Sequence, residues 1–290
     1  MKLTQLIKLV IVVTTLLSCY SAQAENVSQV VPYYGAEFYQ DLKSGVTNDD
    51  LIKRIKTVLR SYHQSQTNGL DKILATCEGA GCYSHHSIGY NAARVFLMGN
   101  FYLRTDQGNG YAVWDVYCNN YKTNADFKGG GPGPGRIPNN NVLNVEHTWP
   151  QSRFSRRHPD DQQKSDLHHL FPADSKLNAI RGNNWFGEVT RDTQVLKCPA
   201  SRTGVGSAGG AEIFEPPVEH KGHVARALMY FSVRYDLPID SEEEAILKKW
   251  NHEHPVDETE ARRNEVIFKT QGNRNPFVDF PELADSIADF

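Results

Sequence analysis

Beyond its first two dozen residues the chain has no apolar run long enough to cross a bilayer, so no stable membrane insertion is expected. Positive charge is short too: 31 Lys and Arg stand against 34 Asp and Glu, a formal net charge of −3. A protein that grips polyanions tightly relies on a positive field, and this balance argues against that class. Cysteine is scarce, at five, and no internal repeat or low-complexity domain is visible. The Gly-rich run from Gly129 to Arg136 lacks the Gly-Lys-Ser/Thr ending and the strand-to-helix setting of a phosphate loop. It reads as a flexible loop that brings Arg136 to the border of a site. His252-Glu253-His254 lacks the spacing that places two metalloprotease histidines on one helical face, and Pro255 interrupts the stretch.

What is present begins with a leader. Lys2 and Lys8 precede an apolar run from Leu9 to Leu17, and Ala22-Gln23-Ala24 stands before Glu25, the layout of a secretory signal over residues 1–24. Leu16-Leu17-Ser18-Cys19 offers the alternative of a lipoprotein anchored through Cys19. Either way the expectation is export, to the periplasm or the medium, of a single domain over residues 25–290 acting as a monomer. Removing the leader takes two lysines and shifts the net charge to about −5. Basic residues nonetheless cluster between Arg153 and Arg202, while acids dominate from Glu212 onward. An enzyme that touches a few phosphates and releases them fits that distribution.

Four cysteines follow the leader, Cys77, Cys82, Cys118 and Cys198. In an oxidising compartment an even count suggests two disulfides with three connectivities, of which Cys77–Cys82 with Cys118–Cys198 is preferred. The rival is a zinc site from Cys77, Cys82, His85 and His86, disfavoured because adjacent histidines do not easily face one ion.

Helical spacing of apolar residues predicts helices over about Asp50–His63 and Glu219–Tyr235, a cap-like Ser followed by glutamates opens another over about Ser241–Trp250, and a third C-terminal helix spans about Asp257–Thr270. Tyr111–Tyr117 reads as a buried strand. The fold class is therefore α+β.

Chemically capable side chains concentrate from Asn144 to Val189. A short strand-like run over Val142–Val145 ends on the pair Glu146-His147, and a helix-compatible stretch covers about Asp166–Ile180, with Pro172 near its start or at a kink. Strand neighbours face opposite ways, so Glu146 can hold a metal while His147 faces substrate. A carboxylate and an amide carbonyl leave most of a hard cation's coordination shell to water and phosphate oxygens, and histidine titrates near working pH. With Asn178 or Asp174 as the later oxygen donor, the set suits phosphodiester hydrolysis.

At EHTWPQSRF (146–154), DLHHLFPADSKLNAIRGNNWFGEV (166–189), FEPPVEHKGHVARALMYFSVRY (214–235), QGNRNPFVDFPE (271–282) and YAVWDVYCN (111–119) the chain resembles the endonuclease I family of periplasmic and secreted bacterial nucleases. The resemblance implies a ββα-metal (His-Me finger) core with surrounding helices. It implies Mg²⁺, with Mn²⁺ or Ca²⁺ as substitutes, held by Glu146 and Asn178, and His147 as general base. The products would carry 5′-phosphates. Arg181, one turn beyond Asn178, and Arg153 are candidate guanidinium forks for phosphate. His168 is a candidate supporting residue at the substrate, while Asp166 and Asp174 orient or cap. The 271–282 segment reads as structural, with Arg274 within conceivable reach of phosphate. Where this chain departs from the family, in a short segment without cysteines between the Glu-His pair and the Asp-Leu-His motif, no phosphate arginine can be assigned by spacing. DNA is the expected substrate. Nothing in the sequence shows a filter against the 2′-hydroxyl, so RNA stands beside it. Backbone phosphates carry no base information, so cutting should be largely nonspecific.

Overall fold

A computed structural model describes residues 30–108, 110–207 and 209–290, of which Val31–Phe290 clusters as one compact unit. The expected leader and Cys19 lie outside the described residues. The chain enters through α1 (Gly35–Lys43) and α2 (Asn48–Arg60), whose Leu51, Ile55, Val58 and Leu59 are buried at helical spacing. Strands β1 (Tyr62–Gln64), β2 (Lys72–Leu74) and β3 (Cys82–Tyr83) form a small antiparallel sheet in the order β2-β1-β3. After α3 (Tyr90–Phe96) come β4 (Leu103–Asp106), β5 (Gly110–Asp115) and β6 (Asn120–Thr123), an antiparallel meander.

The next unit positions the candidate site. Strand β7 (Leu143–His147) and, beyond α4 (Asp160–Ser165), strand β8 (Leu170–Asp174) pair antiparallel from Leu143↔Asp174 to His147↔Leu170. Helix α5 (Ser175–Arg181) follows β8 with no residue between them. Asp174 turns the chain from strand to helix by accepting the Lys176 and Leu177 amides, a cap for two N–H groups with no partner inside the helix. The single helix expected over Asp166–Ile180 is thus a 3₁₀ turn (Leu167–His169), a strand and a short helix. Pro172 sits inside the strand without cost to the pair. It faces Val145, and its carbonyl points away from β7 to accept the Val116 amide at 3.0 Å. In an antiparallel strand a residue's N–H and C=O share one side, so the N–H that proline lacks is not one β7 needs.

Short strands β9 (Trp185–Phe186), β10 (Arg191–Asp192), β11 (Arg202–Val205) and β12 (Ile213–Glu215) form a sheet in the order β10-β11-β12-β9. Helices α6 (Val218–Tyr235), α7 (Ser241–Glu253), α8 (Glu258–Gln271) and α9 (Pro276–Asp279) complete the chain. Fifteen of the 18 residues of α6 are buried, which makes it a central helix and not a surface one with a single apolar stripe. Its buried Arg226 gives both terminal nitrogens and Nε to partners: Glu260 through Nε (2.9 Å) and Nη2 (2.5 Å), Asn251 and the His254 carbonyl through Nη1. A buried guanidinium is tolerable on such terms, and this one joins α6, α7 and α8. At the C-terminal end of α6, Arg60 of α2 donates to the Val233 and Arg234 carbonyls. Mixed helices and small, mostly antiparallel sheets make the fold α+β.

Both disulfides are present, Cys77–Cys82 and Cys118–Cys198. The zinc alternative falls with them, since Cys77 and Cys82 spend their sulfurs on each other.

Candidate active site

The end of β7 and the last turns of α5 open on a cleft of about 420 Å³, lined by Asn144, Glu146, His147, Gln151, Asn178 and Arg181 among others. The strand sets Glu146 and His147 side by side, and the helix, pinned at its start by Asp174, brings Asn178 and Arg181 onto them one turn apart.

Glu146 is 1% exposed. Its Oε1 accepts from Arg181 Nη1 at 2.6 Å, while Oε2 is buried and makes no hydrogen bond among the described residues. Burial raises its carboxyl pKa, against the pull of the Arg181 charge and of the neighbouring Tyr117 hydroxyl. A carboxylate with one oxygen held by a guanidinium and the other buried near the Tyr117 hydroxyl, without a hydrogen bond of its own, is incomplete as a structural ion pair. It has the form of a ligand waiting for a cation. Asn178 matches it: its Nδ2 donates to Asn144 Oδ1 at 2.8 Å and to the Val145 carbonyl at 3.1 Å. With the amide nitrogen tied to the strand, the carbonyl oxygen is the atom left to act as a ligand. These two oxygen donors fit a hard divalent ion.

His147 is held by Nε2, 3.1 Å from the Lys164 carbonyl, with Gln151 Nε2 at 3.3 Å from Nδ1. A carbonyl only accepts, so Nε2 carries the proton and Nδ1 presents the lone pair. Burial first, then His169 and the Lys164 and Arg181 charges, lower its pKa to about 3. The imidazole is therefore neutral at neutral pH, the form a base must start in.

Two expected roles change, those of Arg181 and His168, while the structural reading of the segment that holds Arg274 stands. Arg181 does not offer a free fork to phosphate: it is 2% exposed, and beyond Glu146 its donors go to the His147 carbonyl (2.9 Å) and the Thr148 carbonyl (2.6 Å). It orients Glu146 and the strand end. His168 does not reach the cleft. It is buried against Tyr230 with Nε2 3.2 Å from the Asn273 carbonyl, and its neighbour His169 is the one whose ring lies 5.4 Å from that of His147. Arg274 spends its donors on Asp279 and Glu265, far from any phosphate role. Arg153 is half-buried in an adjoining cavity, tied by Nη2 to the Asn183 carbonyl, and lies 5.7 Å from the Trp185 ring centre. Asp166 is wholly internal, accepting from Tyr230, Tyr235, Gln271 and the His168 amide. Sequence reasoning missed Tyr117 and Gln151 as neighbours of the central pair, and of the adjacent His168 and His169, at most one of which can face the site, it favoured the wrong member. Gln151 lies four residues past His147 and was the findable one; Tyr117 carries no local signal.

A neutral histidine and a half-paired carboxylate thus lie together on one cleft. The family follows from comparison with known proteins: the family described as Endonuclease I matches residues 80–282, and the chain belongs to it. The extracellular ribonuclease of Bacillus subtilis is 37% identical over 165 residues, 50% of this chain and 53% of that protein. An extracellular deoxyribonuclease of Aeromonas hydrophila is 30% identical over 120 residues, 41% of this chain and 50% of its own. A periplasmic deoxyribonuclease of Aeromonas hydrophila is 29% identical over 120 residues, 41% and 49% of the two chains. The chain spans about half the length of the curated relatives it matches. Among the described residues no helix is long and apolar enough to cross a membrane.

Proposed function

We propose that the chain is an exported, divalent-metal-dependent endonuclease that hydrolyses phosphodiester bonds of DNA and RNA with little sequence preference. Its β7–β8–α5 unit would be the ββα-metal core. The observation that carries this is the half-paired, buried Glu146 beside a histidine whose Nε2 is tied to the Lys164 carbonyl and whose Nδ1 carries the lone pair, met only by the Gln151 amide nitrogen at 3.3 Å. Relatives named for ribonuclease and for deoxyribonuclease action support a site indifferent to the sugar, and their extracellular and periplasmic names support export.

Glu146 through Oε2 and Asn178 through its amide oxygen would hold the ion. Mg²⁺, with Mn²⁺ or Ca²⁺ as substitutes, would when bound neutralise the scissile phosphate and the charge developing on the 3′ oxygen. His147 Nδ1 takes a proton from the water that attacks phosphorus opposite that oxygen. The P–O3′ bond breaks, and the 3′ oxygen leaves with the bonding pair and takes a proton from solvent water, giving a 5′-phosphate and a 3′-hydroxyl. The Lys164 carbonyl, already bonded to Nε2, keeps the ring aimed and stabilises the imidazolium formed. Arg181 keeps Glu146 Oε1 occupied, so that Oε2 is the oxygen left without a partner.

The test is nicking of supercoiled plasmid by the purified protein with Mg²⁺ or EDTA, beside His147→Ala. Metal-dependent cutting that the variant loses, with a broad fragment range from unrelated plasmids, is the expected result. An inactive wild type across several divalent ions would overturn the nuclease assignment. Equal cutting by His147→Ala would overturn the base.

A further inference from the structure

Next to the cleft lies a second cavity of about 510 Å³ that shares Pro150 and Arg181 with it. One wall is the half-buried indole of Trp185, with Arg153 beside it. Buried Leu228 and Ile239 add apolar surface, while Asp240 and Glu243, at the start of α7, supply carboxylates. Glu243 is unusual among them. It is 8% exposed, its Oε1 accepts the Phe186 amide at 2.9 Å, and its Oε2 has neither a hydrogen bond nor an ion pair among the described residues. The Phe186 N–H and the charges of Arg181 and Arg153 offset its burial, with no contact ion pair among the described residues. The remaining acceptors face a cavity that an aromatic ring and apolar side chains make suitable for a flat, partly apolar ligand.

We infer that this cavity binds one base of the nucleic-acid strand beside the scissile phosphate, stacked on Trp185 and read by Glu243, and that guanine is the base it prefers. This rests on the nuclease assignment above. A carboxylate accepts best from two parallel N–H donors. Guanine alone shows adjacent donors, N1–H and the exocyclic amine, on its pairing edge. Adenine and cytosine set a ring-nitrogen acceptor against the carboxylate next to their single amine, and uracil or thymine flanks its N–H with carbonyls. Arg153 lines the cavity and can supply positive charge to the nucleotide's own phosphate, whereas the acids Asp240 and Glu243 repel phosphate from the interior. A base can enter only out of a duplex stack, so single strands and frayed ends are the natural substrates of this pocket. Preference at one flanking position is compatible with broad digestion, since guanine recurs in any sequence.

The experiment digests mixed-sequence single-stranded DNA with the mature protein and Mg²⁺ and sequences both fragment ends. Guanine should be enriched about tenfold on one side of the cut, matching one charge-assisted hydrogen-bond pair. Replacing guanine by inosine, which lacks the exocyclic amine, should flatten the enrichment. Glu243→Gln should abolish it, and Trp185→Ala should raise KM for single-stranded polymer about tenfold through lost stacking. The inosine arm uses wild-type protein and stands even if a variant folds poorly. Cutting with no guanine bias, or a bias that survives both inosine and Glu243→Gln, overturns the inference alone. No cutting at all overturns the nuclease assignment first.

Discussion

Arg181→Met is the perturbation that most directly weighs the site's internal electrostatics. Methionine keeps much of the volume over Phe186, whose ring centre lies 4.4 Å from the guanidinium carbon. It removes the 2.6 Å contact to Glu146 and the donors to the His147 and Thr148 carbonyls. Taking one partner from a buried ion pair leaves an uncompensated charge and costs about 3–5 kcal/mol, a large part of a total stability of about 5–15 kcal/mol. Urea unfolding at neutral pH measures it. The loss should depend on pH with a definite sign. Burial already raises the Glu146 pKa, and without Arg181 it rises further. The folded variant then takes up a proton more readily than the unfolded chain, so its deficit is smallest in acid and grows as pH rises through the folded pKa. Adding Glu146→Gln should restore more than half of the loss, because the stranded charge is gone while the two carbonyls remain without donors. A single variant within about 1 kcal/mol of wild type, or a double variant no better than the single, would refute the claim that Arg181 exists to hold Glu146.

Asn178→Ala should raise the Mg²⁺ concentration for half-maximal plasmid nicking about tenfold or more, read from a metal titration. Reduction of Cys118–Cys198, whose partners are 80 residues apart, should cost about 4.5 kcal/mol by loop-closure entropy. Reduction of Cys77–Cys82, five residues apart, should cost about 2 kcal/mol, and comparing Cys→Ser pairs by thermal unfolding separates the two. Asp166→Asn should destabilise most at neutral pH and least in strong acid. Burial would raise the Asp166 pKa, yet the neighbouring histidines and Gln271 hold it below the usual carboxylate range. The ionised form therefore contributes stability above pH 4 or so that is lost as pH falls toward the folded pKa, which acid titration of wild type against variant would show.

Of the three long C-terminal helices, α6 was legible because Val224, Leu228, Phe231 and Tyr235 recur at helical spacing, and α7 because its start carries a cap followed by glutamates. The pair Glu146-His147 was legible because the two residues are adjacent in the sequence. Strand β8 was not, because Leu170-Phe171-Pro172-Ala173 carries a residue that normally argues against a strand interior. Only the outward direction of its carbonyl, toward Val116, makes it harmless. Arg181 and His168 were misassigned for a common reason. A charged or titratable side chain near a cluster of catalytic type looks available until its partners are known, and here they come from the chain's own carbonyls and carboxylates. The base-binding cavity brings residues near 150, 185 and 240 together, and no periodicity links those positions.

The carboxylate of Asp166 ties three distant stretches together: the segment leading into β8, Tyr230 and Tyr235 on α6, and Gln271 at the end of α8. A minimal fragment from Asn144 to Val189 would contain every residue proposed to touch metal or attacking water, yet it would leave that carboxylate without its phenols and amide. The candidate chemistry is local, but the scaffolding that makes it rigid is supplied from up to 105 residues downstream. Trimming the chain to its most recognisable stretch would keep the inscription and discard the stone.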